Sequence, residues 1–163
     1  MRDEKQLKAI ASKMVLKGKG ILAADESTPT CTKRFDSISV ESTFKNRNEY
    51  RNMLFTSSNI EEYISGVILF DETFKQSTTC ENKIPFIEYL ESKGIIPGIK
   101  VDGGTQDLVG FPGEKITEGL DGLKNRLEEY YNMGARFAKW RAVITIGDDI
   151  PSDACIYSNA HAL

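Results

Sequence analysis

Histidine, tryptophan and cysteine are scarce in this chain of 163 residues, at one, one and three copies. Each scarcity closes off a class of function. Cys31, Cys80 and Cys155 are widely separated, odd in number and without C-x-x-C spacing, so neither a disulfide framework nor a zinc site is expected. That pattern fits a reducing compartment, and the expected location is cytoplasmic. His161 stands among small residues near the end of the chain, where packing or exposure accounts for it, and it is assigned no chemistry. Long apolar runs are missing too. Charges interrupt the segment from Met1 to Leu16 every few residues, leaving neither a signal-peptide core nor a membrane span. A net charge of −3 supplies no concentrated basic surface, which argues against a general nucleic-acid binder. There is no Pro/Gly/Ser linker, internal repeat or low-complexity tract. With 40% apolar and 28% charged residues, the composition is that of a folded globular protein, and the length suits one domain, residues 1–163.

What is present is an alternation. Between Glu4 and Leu16, Leu7, Ile10, Ala11, Met14 and Val15 recur at helical spacing before Gly18 and Gly20 break the pattern. The next run, Gly20-Ile-Leu-Ala-Ala-Asp25, is apolar without interruption and predicts a strand buried on both faces of a parallel sheet. Gly66–Asp71, Gly94–Asp102 and Arg136–Ile144 repeat this pattern, each ending near a charge. Helices are predicted over Val40–Thr56, Phe86–Glu91 and Thr117–Asn132. Such alternation implies right-handed βαβ crossovers in an α/β fold, the sheet being either open and doubly wound or part of a closed barrel. Pro151-Ser-Asp153 opens a last helix that carries no terminating glycine and ends on apolar residues, so the chain is expected to be cut within an element of a longer protein.

The charges gather at strand ends, where ligands bind in both kinds of α/β sheet. Side chains alternate along a strand, so Ile21, Ala23 and Asp25 share a face, Lys100 shares one with Asp102, and Lys139 shares one with Arg141. An unpaired buried charge costs several kcal/mol even after relaxation. Two opposite charges about 4 Å apart gain roughly 4 kcal/mol at an effective dielectric near 20, so Asp25 and Lys139 suit one another. Lys100, Lys139 and Arg141 offer an anionic substrate several donors, and the segment Glu26–Arg34 is expected as a loop adding hydroxyls, Lys33 and Arg34. A phosphorylated metabolite fits this set. By contrast, Gly103-Gly104 and Gly110-Phe-Pro-Gly-Glu-Lys115 lack dinucleotide and Walker spacing and are expected as turns.

Gly20-Ile-Leu-Ala-Ala-Asp-Glu-Ser-Thr28, Gly66-Val-Ile-Leu-Phe70, Gly98-Ile-Lys-Val-Asp102, Glu118-Gly-Leu-Asp-Gly-Leu123 and Phe137-Ala-Lys-Trp-Arg141 follow one another in an order and spacing that resemble class I fructose-bisphosphate aldolase. Asn46-Arg47, followed by Tyr50-Arg51 and Leu54, is similar to that family's helix after the first strand. The resemblance implies a (β/α)8 TIM barrel of about twice this length, with the first four β/α units in this chain. It further implies metal-independent Schiff-base cleavage of fructose 1,6-bisphosphate in glycolysis and gluconeogenesis, no cofactor, and a homotetramer. Carried over position by position, Asp25 and Lys139 are the catalytic residues. Ser27, Lys100 and Arg141 face the phosphate of the aldehyde half, Lys33 and Arg34 the other, Thr30 joins the substrate- and phosphate-binding set, and Arg47 is a more peripheral substrate-side cation. Thr30 stands where many members have serine, which keeps the hydroxyl, whereas Gly103 replaces a lysine.

The same resemblance assigns the imine-forming lysine, the general-acid glutamate and the second phosphate site to later strands, so this chain alone is expected to be inactive. Two other readings accompany it. One is a non-catalytic fragment that binds sugar phosphate or occupies the tetramer interface. The other is a phosphoacceptor receiver domain, drawn from the acidic pairs Asp25-Glu26 and Asp71-Glu72 with Lys139 in a later strand; the aldolase motifs count against it.

Overall fold

A computed structural model describes residues 4–163. The elements run α1 (Glu4–Met14), β1 (Gly20–Ala24), α2 (Thr28–Asp36), α3 (Phe44–Phe55), α4 (Ile60–Tyr63), β2 (Ile64–Leu69), α5 (Asp71–Phe74), α6 (Phe86–Ser92), β3 (Ile96–Lys100), β4 (Gly104–Asp107), β5 (Lys115–Glu118), α7 (Leu123–Asn132), β6 (Phe137–Lys139) and α8 (Asp153–Ala162). Four strands form a sheet in the order β1-β2-β3-β6, and β4 with β5 forms a second, two-stranded sheet. The residues divide into two compact units: the first runs up to Lys100 and adds Tyr130–Ala138, and the second comprises Val101–Glu129 and Lys139–Leu163.

In the first unit β1, β2 and β3 are parallel, with Ala24 opposite Leu69 and Leu69 opposite Ile99. Helices cover one face of this sheet. Val67, Leu69 and Ile99 are buried from the strands, and Phe55, Phe86, Ile87 and Leu90 meet them from α3 and α6. Phe55 and Phe86 touch edge to face at 5.0 Å between ring centroids. Each of these side chains is worth about 1.5–3 kcal/mol of burial, which is why short strands with few polar residues hold their register. The opposite face differs from the expectation of a doubly buried strand: Ile21 is 41% exposed and Ala23 is exposed, because among the described residues no helical layer covers that side of β1.

Phe137 fills part of the open face. A Cβ placed on Gly98 would lie 2.3 Å from the Phe137 ring, and one on Gly66 would lie 3.3 Å from it. The two glycines therefore act as space for an aromatic ring.

The second unit is built on the β4–β5 hairpin, whose strands pair antiparallel from Gly104 opposite Glu118 to Asp107 opposite Lys115. Helix α8 packs on β5 through Asn159, whose amide nitrogen donates to the Lys115 carbonyl at 2.9 Å, and through the buried Cys155. Its N-terminus is capped twice. Ser152 Oγ accepts from the Cys155 N–H, and buried Glu114 accepts from the Ser152 N–H and hydroxyl at 2.6 and 2.7 Å. The Ser152 hydroxyl above all holds the Glu114 carboxyl below its usual range, against the effect of burial.

Four sequence expectations change. Residues 28–36 form helix α2 rather than a loop, started by Ser27 with Pro29 in the first turn. The expected helix over Thr117–Asn132 begins only at Leu123, and Thr117 belongs to β5. The turn expected from Gly110 is found, as the connection between the two strands of the hairpin, whereas Gly104, also expected in a turn, belongs to β4. The expected strand Arg136–Ile144 shortens to Phe137–Lys139, since the Arg141 carbonyl accepts from the Thr117 hydroxyl at 2.7 Å in place of a backbone ladder.

The socket around Phe137 gives a stability test. Gly98→Ala is expected to destabilise the chain by about 1–3 kcal/mol through overpacking, and Phe137→Leu in the same background should recover part of that loss. Urea titration of the three proteins would measure both.

Candidate active site

The turn from β1 into α2 carries a cluster of polar groups. Asp25 follows the last residue of β1 and is 9% exposed. Ser27 is the N-cap of α2, yet its hydroxyl makes no cap bond and pairs instead with the Thr30 hydroxyl at 3.1 Å. Two hydroxyls thus stand together at the start of a nine-residue helix, where unpaired N–H groups and the helix dipole favour an anion.

Beside them lies an ion-pair network. Arg51, 2% exposed, donates from Nη1 to Glu26 Oε2 at 2.6 Å and from Nη2 to the Glu26 carbonyl at 2.9 Å. Tyr50 donates its hydroxyl to Glu26 Oε1 at 3.1 Å, and Arg34 meets the same oxygen. Burial pushes the Glu26 carboxyl up, but its own backbone N–H, Arg51, Tyr50 and Arg34 outweigh that and hold it below the usual carboxylate range. Burial, with the Glu26 charge, raises the Tyr50 phenol, so Tyr50 stays a hydroxyl donor. Burial likewise pushes the Cys31 thiol up, which keeps it unreactive.

Several expected phosphate cations are engaged with protein groups. Arg47 forks onto Glu72, Nε to Oε1 at 2.7 Å and Nη2 to Oε2 at 2.6 Å, and Nη1 reaches the Ser42 carbonyl. Arg34 meets Glu26, while Lys33 is exposed on α2. Lys100 ends β3 with its ammonium 5.6 Å from the centre of the Phe70 ring, within range of a cation–π attraction. Within the first unit, therefore, Asp25, Ser27 and Thr30 come together where β1 passes into α2, Arg34 lies further along α2, and Lys100 stands at the end of β3, two strands from β1. In the second unit Lys139 closes β6, its carbonyl accepting from the Val101 N–H at 3.1 Å, and Arg141 is exposed beyond the strand. Arg141 thus lies outside the strand whose alternation put it on a face with Lys139.

Glu26, Arg51 and Glu72 had no separate assignment from the sequence. One signal for them was legible: Arg47 and Arg51 are four residues apart and share a face of α3, and two arginines on one helix face call for carboxylates.

Parallel strands alternating with helices, with carboxylate, hydroxyl and ammonium groups at the strand ends, define the class of this chain as an α/β protein with a strand-end site. Residues 6–163 match the family model described as fructose-bisphosphate aldolase class-I, of the glycolytic kind. A probable fructose-bisphosphate aldolase class 1 of Xanthomonas campestris pv. campestris is 60% identical over 158 residues, covering 97% of this chain and 47% of the relative. Cytosolic fructose-bisphosphate aldolase 4 of Arabidopsis thaliana is 53% identical over 146 residues, covering 90% of this chain and 37% of the relative. A solved structure of the Plasmodium falciparum fructose-bisphosphate aldolase, in complex with TRAP and a small molecule inhibitor, superimposes with a TM-score of 0.93 at 48% identity, over 98% of this chain and 46% of that one. The chain belongs to the class I fructose-bisphosphate aldolase family. It spans about half the length of the Xanthomonas relative.

The Glu26 network has a pH signature. A carboxyl whose folded value is depressed contributes stability that is present above its unfolded value, near 4.5, and lost as pH falls through the lower folded value. Glu26→Gln should therefore be less stable than the parent at neutral pH, and the gap should narrow below pH 4.5. Denaturation midpoints measured across the acid range check this.

Proposed function

We propose that this chain is the part of a metal-independent class I fructose-bisphosphate aldolase that carries Asp25, Lys139 and one phosphate site. The complete enzyme is a (β/α)8 barrel acting in the cytoplasm as a homotetramer. It reversibly cleaves fructose 1,6-bisphosphate to dihydroxyacetone phosphate and glyceraldehyde 3-phosphate. The observation that carries this reading is Asp25, a buried carboxylate at the end of β1 beside the Ser27–Thr30 hydroxyl pair, within motifs that match the family across residues 6–163.

In this reading a lysine from a later strand condenses with the substrate ketone, releasing water and forming an imine. The carbon–carbon bond then breaks, its electron pair moves to the protonated imine, and the adjoining hydroxyl gives up its proton to become the aldehyde carbonyl. Asp25 orients that hydroxyl and receives the proton. Lys139 stabilises the charge that develops beside the imine. Ser27, Lys100 and Arg141 hold the phosphate of the aldehyde half, Thr30 adds a hydroxyl to the substrate site, and Lys33 and Arg34 lie toward the other phosphate with Arg47 at the periphery.

In the complete enzyme, Asp25→Ala should lower the cleavage rate by roughly 10²–10⁴-fold while dihydroxyacetone phosphate is still trapped on the lysine by borohydride. Unchanged turnover would remove Asp25 from the mechanism. The 163-residue chain by itself should show no cleavage and no trapped adduct.

A further inference from the structure

Arg51 supplies no group to the chemistry just described, yet its side chain is 2% exposed and each of its nitrogens has an acceptor. Nη1 and Nη2 hold the carboxylate and the carbonyl of the same residue, Glu26. Nη2 also lies 3.6 Å from the Cys31 sulfur of α2, and Nε reaches the Thr73 hydroxyl of α5 at 3.3 Å. Side chain and main chain of Glu26 are therefore gripped together, which fixes the turn in orientation as well as in place. Glu26 stands between Asp25 and Ser27 in the chain.

Stability alone is a poor reason for such an arrangement. Buried ion pairs are often replaced by well-packed apolar residues without net loss, although breaking one is costly, so a fixed geometry is what this pair offers that an apolar cluster would not. The planar fork of a guanidinium reaches several acceptors in fixed directions, and a lysine ammonium does not reproduce it.

We propose that Arg51 is a positioning residue. By clamping both ends of Glu26 it holds Asp25 on one side, and the Ser27–Thr30 hydroxyl pair on the other, in register with bound substrate. The inference rests on the assignment of Asp25 and the start of α2 to the substrate. Displacing a reacting group by about 1 Å can cost on the order of 100-fold in rate, and loosening the clamp acts through that displacement.

The test uses the complete enzyme with Arg51→Lys, Glu26→Gln, the double variant and Asp25→Ala. Two quantities are read: the cleavage rate, and the yield of borohydride-trapped adduct with dihydroxyacetone phosphate. Arg51→Lys should keep the adduct yield and lose about 100-fold in kcat. Glu26→Gln opens the same clamp from its other side and should show the same split, and the double variant should be no worse than either single change. If Arg51→Lys fails to fold, Glu26→Gln decides. Unchanged kcat in Glu26→Gln, or adduct and kcat falling together by one factor in both single variants, would overturn the proposal. Full cleavage by Asp25→Ala would instead overturn the functional reading on which it rests, whereas loss of cleavage in Asp25→Ala beside normal Glu26→Gln and Arg51→Lys proteins would discard the clamp alone.

Discussion

The buried guanidinium of Arg51 is the constraint around which the first β/α units assemble. Withdrawing that charge from water costs several kcal/mol even after relaxation, so the fold tolerates it only where its acceptors arrive together. Those acceptors come from separate places: Glu26 after β1, Cys31 in α2 and Thr73 in α5. They converge only when β1 lies on β2 with Ala24 opposite Leu69. Apolar burial drives helices onto the sheet but is forgiving about small slips. A fork with named partners is not forgiving, and it lies one residue from the strand-end carboxylate.

A second division of labour runs across the sheet. One face is closed by Val67, Leu69, Ile99, Phe55, Phe86 and Leu90, and from the other Ile21 remains accessible. Stability is concentrated on the helix side. The other face of β3 carries Gly98 and Lys100, a residue without a side chain followed by one with a long cation, and so leaves room there. The polar groups that matter most sit where the strands end, at Asp25 and Lys100, beyond the ladder that holds the backbone rigid.

What the sequence made legible follows the strength of each physical signal. The first three strands were readable to within a few residues, since uninterrupted apolar runs bounded by glycine and a charge have few other meanings. Asp25 and Lys100 were readable as strand-end charges for the same reason. Helix α2 was missed although Ser27, Thr28 and Pro29 form a start signal, because its hydroxyls and cations also describe a loop. The β4–β5 hairpin was hidden for a different cause. Its strands are four residues each and largely polar, so they lack the apolar alternation by which strands are found. The burial of Arg51 was not legible at all, since a charge can go inside only if partners come, and the partners at Glu26 and Thr73 lie far along the chain on either side.

The contact among Gly66, Gly98 and Phe137 bears on how this sequence can change over time. An aromatic ring from one strand occupies volume that two others leave empty, so the three positions are not free to drift separately. A side chain gained at Gly98 would evict the ring and one at Gly66 would crowd it, and a smaller residue at 137 would open a void that the glycines cannot fill. Bulk gained at Gly98 is therefore accommodated only together with bulk lost at 137, so the two positions are sterically coupled.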